Sequence, residues 1–301
     1  MMDLTIENIT ENVQIINSKC PDRRLKFLLE RLVVHLHDLV RETRLSTEEW
    51  IATIQFLTKV GQTCTSTRQE FILLSDILGV SLLVDAIDHP KPKGSTEGTV
   101  LGPFHTHEAN LVDNGAGIAS DPQGEPLLVL CTVRDAAGKP LENVKIDVWE
   151  TDSKGFYDNG RFWFKAIVPV PYPIPSDGPV GKLLGRLNRH CFRPSHMHFM
   201  FNHPIYDPLI TALYLKNDPY ETSDAVFGVK NTLVVELQRV NDQEVADQYS
   251  VQVGCALMEY DFGLVTKEDA FNIRYKNAEA AMKAKGMKMQ YIDGLPVPEV
   301  D

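Results

Sequence analysis

Residues 193–201 have the sequence RPSHMHFMF, in which two histidines alternate with large apolar residues. This period of two predicts a β-strand, because successive side chains of a strand point to opposite faces. His196 and His198 would then share one face, with Cα atoms about 7 Å apart. Two imidazoles at that spacing can take neighbouring positions on one metal ion, although a solvent-facing strand would carry the same pattern.

The sequence that follows residue 125 is typical of a β-rich fold. Short runs of β-branched, leucine and aromatic residues are separated by turn formers such as Asp135-Ala-Ala-Gly138 and Asn159-Gly160. Many short strands with irregular connections predict an antiparallel β-sandwich. The predicted strands are 126–134, 144–150, 162–168, 197–201, 209–215 and 233–237.

Residues 1–88 have a different pattern and are predicted to be helical. Apolar residues in 24–44 recur with a period of about 3.6 residues, as on one face of a helix. The sequence STEE at 46–49 is a capping box that predicts the start of a second helix over 50–60. A third helix is predicted over 70–87.

A linker separates the two patterns. Residues 89–98 are rich in proline, glycine and lysine, which is typical of a connecting segment. We therefore expect a mixed, mainly β chain with an N-terminal helical domain and its linker over 1–98. A β-sandwich domain is expected over 99–301, with a C-terminal helical tail near 267–285.

Composition excludes several functional classes. The 301 residues carry a formal net charge of −11, from 41 acidic and 30 basic residues, which argues against nucleic-acid binding. The five scattered cysteines include no CxxC pair, as expected for a reduced protein without thiolate metal sites. The acidic N-terminus is unlike a secretory signal, and no apolar run approaches the roughly 20 residues of a membrane span. We therefore predict a soluble, cytoplasmic protein.

Two tyrosines lie in sequence contexts that suit a metal ligand. Tyr157 ends WETDSKGFY (149–157), just past a predicted strand. Tyr172 lies within IVPVPYPIP (167–175), whose alternating prolines leave its phenol little conformational freedom. Phenolate is a hard anionic ligand that suits Fe(III), whereas an isolated tyrosine is more often a half-buried aromatic residue with a hydrated hydroxyl.

Four longer motifs give these residues a family context. They are GPFH (102–105), DVWETDSKGFYD (147–158), FKAIVPVPYPIPSDGPVGKLL (164–184) and RPSHMHFMF (193–201). In this order they resemble the intradiol ring-cleavage dioxygenases of the catechol 1,2-dioxygenase family, and the resemblance extends to EFILLSDILGVSLLVD (70–85). Within that family the sequence is most similar to the hydroxyquinol 1,2-dioxygenases, through DPLIT (207–211), DPY (218–220) and SDAVFGVK (223–230).

The resemblance implies one non-haem ferric iron per subunit, bound by Tyr157, Tyr172, His196 and His198. Tyr172 would also leave the metal and help to take up a proton, and Arg193 would stabilise negative charge that develops on the substrate. The implied reaction is intradiol cleavage of an aromatic diol by O2 in aromatic catabolism. For hydroxyquinol (1,2,4-trihydroxybenzene) the product is 3-hydroxy-cis,cis-muconate, or maleylacetate. The N-terminal helices would form a homodimer interface with bound lipid.

The same resemblance places eight residues around the substrate. Asp76 is the most informative, because a carboxylate could accept a hydrogen bond from a third ring hydroxyl and would disfavour a substrate that lacks it. Alternatively, Asp76 is a solvated residue of the helix and does not affect the choice of substrate. The eight residues are Leu73, Asp76, Val100, Leu101, Gly102, Ile174, Pro175 and Val226.

One segment departs from the family pattern. Only fourteen residues separate Tyr157 from Tyr172, whereas the family usually has a considerably longer segment. A genuine deletion would remove sheet structure beside Tyr157 and could displace that ligand, and errors of about 1 Å already matter for catalysis. Two alternatives stay open. One is a catechol or chlorocatechol 1,2-dioxygenase, and the other is an inactive, metal-free relative that only dimerises or binds a small ligand.

Overall fold

The structure, a computed structural model, describes residues 4–102, 111–119, 121, 123–149, 154–156 and 161–299. Two compact units make up the chain. The first is formed by Met1–Thr58 together with Tyr275–Asp301, and the second is formed by Lys59–Arg274. The second unit carries both large sheets and all of the described candidate site residues. The division of the sequence after residue 98 stays a prediction.

Helices form where the apolar periodicity predicts them, with small shifts at their ends. The predicted helix 24–44 extends over Arg23–Thr43, and the predicted helix 50–60 extends over Thr47–Thr63. The α-helices of the described residues are Ile9–Asn17 (α1), Arg23–Thr43 (α2), Thr47–Thr63 (α3), Glu70–Ile77 (α4), Val80–Asp88 (α5), Pro179–Arg186 (α6), Gln243–Tyr249 (α7) and Lys267–Ala284 (α8). Within this described part, no helix combines the length and the apolar character needed to cross a membrane.

A reciprocal pair of hydrogen bonds sets the start of α3. The backbone N–H of Ser46 donates to Glu49 Oε2 at 2.9 Å, and the N–H of Glu49 donates back to Ser46 Oγ at 3.2 Å, which confirms the capping box.

The prediction of one helix over 70–87 is wrong. Gly79 adopts φ 72°, a left-handed conformation that ends α4 and directs the chain into α5.

Strands form most of the remaining regular structure. They are Leu111–Val112 (β1), Pro126–Asp135 (β2), Lys145–Trp149 (β3), Lys154–Phe156 (β4), Arg161–Ile167 (β5), Tyr172–Pro173 (β6), Phe192–Arg193 (β7), His196–Asn202 (β8), Leu209–Leu215 (β9), Val234–Val235 (β10), Gln238–Arg239 (β11), Ala256–Leu264 (β12), Met289–Ile292 (β13) and Leu295–Pro298 (β14). A six-stranded sheet has the order β1-β4-β3-β8-β9-β10, and a four-stranded sheet has the order β11-β12-β2-β5. β6 pairs with β7, and β13 pairs with β14. The mixed fold with N-terminal helices is confirmed.

Both large sheets contain parallel as well as antiparallel pairs, so the expectation of antiparallel sheets is wrong for three pairs of strands. β2 pairs in parallel with β12 along nearly its whole length, from Leu127 opposite Ala256 to Asp135 opposite Leu264. β1 with β4 and β9 with β10 are also parallel. Parallel partners come from distant parts of the chain through long connections, and the alternation within one strand does not encode such a pairing.

One buried core includes side chains from both large sheets. β8 contributes Phe199 and Phe201 to it, and the four-stranded sheet contributes Phe162, Phe164 and Phe262. Neighbouring rings of this cluster have centroids between 4.5 and 6.5 Å apart. Because alternate residues of β8 point into this core, His196 and His198 face the opposite side of the sheet.

Candidate active site

His196 and His198 lie together on β8, as the alternation predicts. Each is 5% exposed, and their Nε2 atoms are 3.1 Å apart. His196 Nδ1 lies 2.6 Å from the carbonyl oxygen of Pro194, which can only accept, so Nδ1 carries the proton and Nε2 carries a lone pair. Burial, assisted by Arg193 and His198, holds the pKa of His196 well below its usual value, so this imidazole is neutral.

The ring of His198 is held between a neighbouring strand and a loop. Trp149 on β3 lies directly opposite His198, and the two rings stack with centroids 4.9 Å apart and planes within 5°. Gly102 adopts φ 76°, and a Cβ atom at that residue would lie 3.8 Å from His198 Nε2. The backbone of Gly102 therefore borders the histidine pair.

The histidine pair has the geometry of two ligands on one metal ion. Imidazole nitrogens bound at about 2.1 Å in neighbouring positions lie about 3 Å apart, close to the observed 3.1 Å. Both Nε2 atoms face a cationic group, because Arg193 Nη1 lies 3.0 Å from His196 Nε2 and 3.4 Å from His198 Nε2. Within the described residues, no group of three histidine, cysteine, aspartate or glutamate side chains could hold a metal.

Tyr172 is held close to this pair by the ribbon of β6 and β7. Their register places Tyr172 opposite Arg193, and the Tyr172 ring centroid is 5.4 Å from that of His196. Prolines on both sides of Tyr172 restrict its backbone and keep β6 short. The other predicted tyrosine ligand, Tyr157, lies outside the described residues.

Arg193 is fully enclosed and is surrounded by acceptors. It is 1% exposed, its Nε and Nη2 face Asp224 at 3.3 and 3.4 Å, and Nη2 also donates to the Tyr214 hydroxyl at 3.0 Å. Burial alone would lower the pKa of Arg193, but Tyr214 and Asp224 raise it above its usual value. The guanidinium is therefore a permanent cation, and its remaining terminal nitrogen points at the histidine pair.

Asp224 connects this cation to a backbone turn. Its Oδ1 accepts from the N–H of Val226 at 3.3 Å, and its Oδ2 accepts from the N–H of Gly228 at 2.9 Å. Gly228 leaves room for the network, because a Cβ there would lie 2.5 Å from the Tyr214 hydroxyl and 3.0 Å from Arg193 Nη2. One carboxylate thus positions both Arg193 and Val226, which the sequence predicts to contact the substrate.

Asp76 is a buried acceptor on α4, one turn after Leu73. It is 2% exposed, and its Oδ2 has no hydrogen-bond partner among the described residues. Burial raises the pKa of Asp76, although Ser81 and Arg193 lower it in part. A buried carboxylate oxygen without a partner costs free energy, and a ligand hydroxyl that donates to it would recover that cost.

The other predicted substrate-lining residues differ in exposure. Four are buried, namely Leu73, Val100, Ile174 and Val226. Leu101 is 37% exposed and Pro175 is half-buried, and none of the described hydrogen bonds or ring contacts ties either residue to the histidine pair. The contact of all these residues with substrate stays a prediction.

Sequence reasoning missed four residues that surround the histidine pair and Arg193, which are Trp149, Tyr214, Asp224 and Gly228. Asp224 and Gly228 lie in the SDAVFGVK motif, where an acidic residue beside an apolar run was a usable signal. Tyr214 has its ring centroid 5.3 Å from that of His196 because β9 pairs with β8 in the register that sets these two residues opposite each other. Nothing in the local sequence of β9 reveals that register.

Comparison with known proteins identifies the family. Residues 22–96 match the family model described as the catechol dioxygenase N terminus, and residues 100–159 and 158–267 match the model described as dioxygenase. Together these matches include most of the chain. The chain belongs to the catechol dioxygenase family of intradiol ring-cleavage enzymes, so the predicted family and enzyme class are confirmed.

Individual relatives narrow this assignment. The chain is 59% identical to the intradiol ring-cleavage dioxygenase hqdA of Aspergillus niger, over 100% of this chain and 97% of the relative. It is 44% identical to a hydroxyquinol 1,2-dioxygenase of a Rhizobium species, over 80% of this chain and 89% of the relative. The crystal structure of a hydroxyquinol 1,2-dioxygenase from Pseudomonas putida DLL-E4 matches with a TM-score of 0.79 at 38% identity, over 87% of this chain and 99% of that one.

The comparisons also mark the segment that departs from the family. The alignment with the Aspergillus niger relative has 320 positions for the 301 residues of this chain, so about 19 positions have no counterpart here. The two matches to the dioxygenase model meet at residues 158 and 159, directly after Tyr157. This break lies where the sequence itself indicates a shortened segment.

Replacing Asp224 tests its role as the partner of Arg193. We expect Asp224→Asn to lower the free energy of unfolding by about 3–5 kcal/mol, because a buried cation loses its counter-charge. Tyr214→Phe removes one hydrogen bond to the same guanidinium and should cost only about 1–3 kcal/mol. Urea unfolding of both single variants and the double variant measures the two losses and their coupling. Equal losses in the single variants would contradict the leading role of the carboxylate.

The raised pKa of Asp76 gives stability a pH dependence. A carboxyl group whose pKa is higher in the folded protein than in the unfolded chain destabilises the fold once it is ionised. Asp76→Asn should therefore stabilise the protein at neutral pH, and the gain should shrink as the pH falls through the folded-state pKa. Urea unfolding across a pH series measures this change. A gain that stays constant with pH would exclude the ionised carboxylate as its cause.

Proposed function

We propose that this chain is a hydroxyquinol 1,2-dioxygenase, which cleaves 1,2,4-trihydroxybenzene with O2 to 3-hydroxy-cis,cis-muconate, the tautomer of maleylacetate. The observation that carries the choice of substrate is the buried Asp76, whose Oδ2 can accept from a hydroxyl that catechol lacks. Two relatives, at 44% and 38% identity, carry this name. Membership of the ring-cleavage family supports the reaction type.

The metal proposed for this site is one Fe(III) per subunit, held by His196, His198, Tyr172 and Tyr157. The converging imidazole nitrogens and the adjacent Tyr172 ring support three of these ligands. Tyr157 rests on the family pattern of the sequence alone. Two phenolates would offset two of the three positive charges, which suits a hard trivalent ion in a buried site. When bound, the ferric iron would supply a Lewis-acidic centre that makes the diol hydroxyls more acidic and the ring reactive toward O2.

The chain's own residues orient the substrate and manage charge. Arg193 points a permanent positive charge at the histidine pair and stabilises negative charge that develops on substrate oxygens. The Tyr172 oxygen takes up a proton from an incoming diol hydroxyl. Asp76 accepts from the third hydroxyl and orients the ring, while Leu73 and Val226 exclude water. The reaction breaks the substrate bond between the two hydroxylated carbons, and both atoms of O2 are incorporated into the product.

We extend the proposal to the packing of the two large sheets and to the oligomeric state. Because both large sheets bury side chains in one core, we propose that they pack face to face as a β-sandwich. We also propose a homodimer that forms through the N-terminal helices, with lipid at the interface. The support is a row of exposed apolar side chains on α2 and α3, which are Leu25, Leu28, Leu32, Leu36, Leu39, Trp50, Ile51 and Ile54. Sedimentation as a monomer would contradict the dimer, and the cytoplasmic location stays a prediction.

The shortened segment between Tyr157 and Tyr172 favours a second candidate function. A chain without a complete ligand set would be a metal-free relative that only dimerises or binds a small ligand. Protein that stays colourless and iron-poor after reconstitution would support this candidate. Cleavage of catechol or chlorocatechol is the alternative within the enzyme class, and relative turnover separates it from the main proposal.

Iron content and colour test the ligand set. Phenolate bound to Fe(III) absorbs visible light, so the reconstituted parent protein should be red. Tyr157→Phe and Tyr172→Phe should each weaken or shift this band and lower the iron content. Tyr249→Phe is the matched control, because Tyr249 packs on Trp163 in a separate cluster and should change neither quantity. An unchanged band in Tyr157→Phe would show that Tyr157 is not a ligand in this shortened chain.

The ratio of kcat/KM for hydroxyquinol to kcat/KM for catechol tests the substrate. The parent protein should prefer hydroxyquinol. Asp76→Leu should lower kcat/KM for hydroxyquinol by about 10- to 100-fold, the equivalent of one hydrogen bond to a charged group, and spare catechol. Asp76→Asn keeps an acceptor oxygen and should lose less. A parent protein that prefers catechol would refute the assignment.

A further inference from the structure

Arg189 makes an unusual set of contacts outside the cluster of Arg193 and the two histidines. Its Nη1 donates to the carbonyl oxygen of Ile77 at 2.8 Å, and its Nη2 donates to the carbonyl oxygen of Ala225 at 2.9 Å. Its guanidinium carbon lies 4.9 Å from the centre of the Phe227 ring. One planar group therefore joins two backbone segments and stacks on an aromatic side chain.

The two carbonyl groups adjoin residues that are predicted to contact the substrate. Ile77 directly follows Asp76 at the end of α4. Ala225 directly precedes Val226 in the turn that Asp224 organises. Arg189 thus bridges the segment that carries the proposed hydroxyl acceptor and the segment that carries an apolar wall of the site.

Each of the two segments that Arg189 bridges contains a residue with a positive φ angle. Gly79, just past α4, has φ 72°, and Phe227 has φ 61°, a conformation that is costly for a residue other than glycine. The Phe227 ring lies against the end of α4, because a Cβ on Gly79 would be 3.7 Å from Phe227 Cδ2. The carbonyl of Ile77 belongs to the last turn of α4, where helix carbonyls lack partners within the helix. Arg189 supplies that partner and holds the Phe227 ring in place.

We propose that Arg189 is a positioning residue for substrate selectivity, which sets the separation between the Asp76 carboxylate and Val226. This proposal rests on the proposed function and deepens it. Arginine suits the role because its planar fork reaches two carbonyls at once, whereas lysine has a single ammonium group without fixed geometry. A displacement of about 1 Å in a binding group can change a rate by about a hundredfold. A small shift of either segment therefore changes how well the third ring hydroxyl is recognised.

The surroundings of Arg189 allow it to be replaced without opening the core. Its side chain is half-buried and borders an open cavity of about 600 Å³, which His190, Ser223 and Phe227 also line. If the side chain is removed, water can reach both carbonyl groups and keep them hydrogen-bonded. The same cavity gives a guanidinium ion access to the position of the lost side chain.

Arg189→Ala and Arg189→Lys test the proposal through turnover and anaerobic equilibrium binding of hydroxyquinol and catechol. Both variants should lower the hydroxyquinol-to-catechol ratio of kcat/KM by about tenfold or more. The loss should arise mainly from a higher KM for hydroxyquinol, and iron content and the visible band should not change. Guanidinium chloride at a non-denaturing concentration should restore the ratio in Arg189→Ala only, and NaCl should not. Arg186→Ala, at the exposed end of α6, is the matched control and should keep the parent ratio.

Equal losses for both substrates, or an unchanged ratio, would overturn the proposal and leave Arg189 a purely structural residue. Thermal unfolding shows whether each variant folds, and Arg189→Gln, which keeps a donor, replaces Arg189→Ala if the latter is unstable. The proposed function fails in a different way, through a parent protein that turns over neither substrate or prefers catechol. In that case the anaerobic binding ratio of the same variants still decides the role of Arg189.

Discussion

Arg193 can be buried because Asp224 is buried with it, and much of the site follows from this pairing. Moving a guanidinium from water into a protein interior costs several kcal/mol unless a counter-charge and hydrogen bonds compensate. Asp224 supplies the charge, and its remaining lone pairs accept from the backbone of the turn that ends at Gly228. The Tyr214 hydroxyl and the guanidinium then fill the space that a side chain at Gly228 would need. The ion pair between Arg193 and Asp224 therefore links strand β9, the ribbon of β6 and β7, and the turn that ends at Gly228.

Strand β8 connects this ion pair to the stability of the whole unit. One face of the strand packs Phe199 and Phe201 into the aromatic core, and the other presents His196 and His198. A slip of β8 by one residue would exchange the two sets of side chains, placing the phenylalanines beside Arg193 and the histidines in the apolar core. The packing that stabilises the core thus also fixes the direction in which the imidazoles point.

Local patterns predict the histidine pair and Tyr172, but not the groups that position them. The alternation around His196 and the prolines around Tyr172 lie within a few residues of the side chains concerned. Tyr214 and Asp224 reach Arg193 from 21 and 31 residues away, so only tertiary structure brings them together. The parallel pairing of β2 with β12 was missed for the same reason. The break at Gly79 was missed because an isolated glycine does not interrupt the apolar pattern that predicts one helix.

Because β2 pairs with β12, the four-stranded sheet cannot close until nearly the whole second unit has been synthesised. Leu127 leaves the ribosome long before its partner Ala256, and during that time one edge of β2 lacks its final neighbour. Pairings between such distant segments form slowly and expose apolar surface to other chains. The aromatic core, and with it the orientation of β8, is therefore completed late in biosynthesis. Until β12 has been made, the edge of β2 that pairs with it stays open to other chains, and the histidine pair on β8 has no finished core behind it.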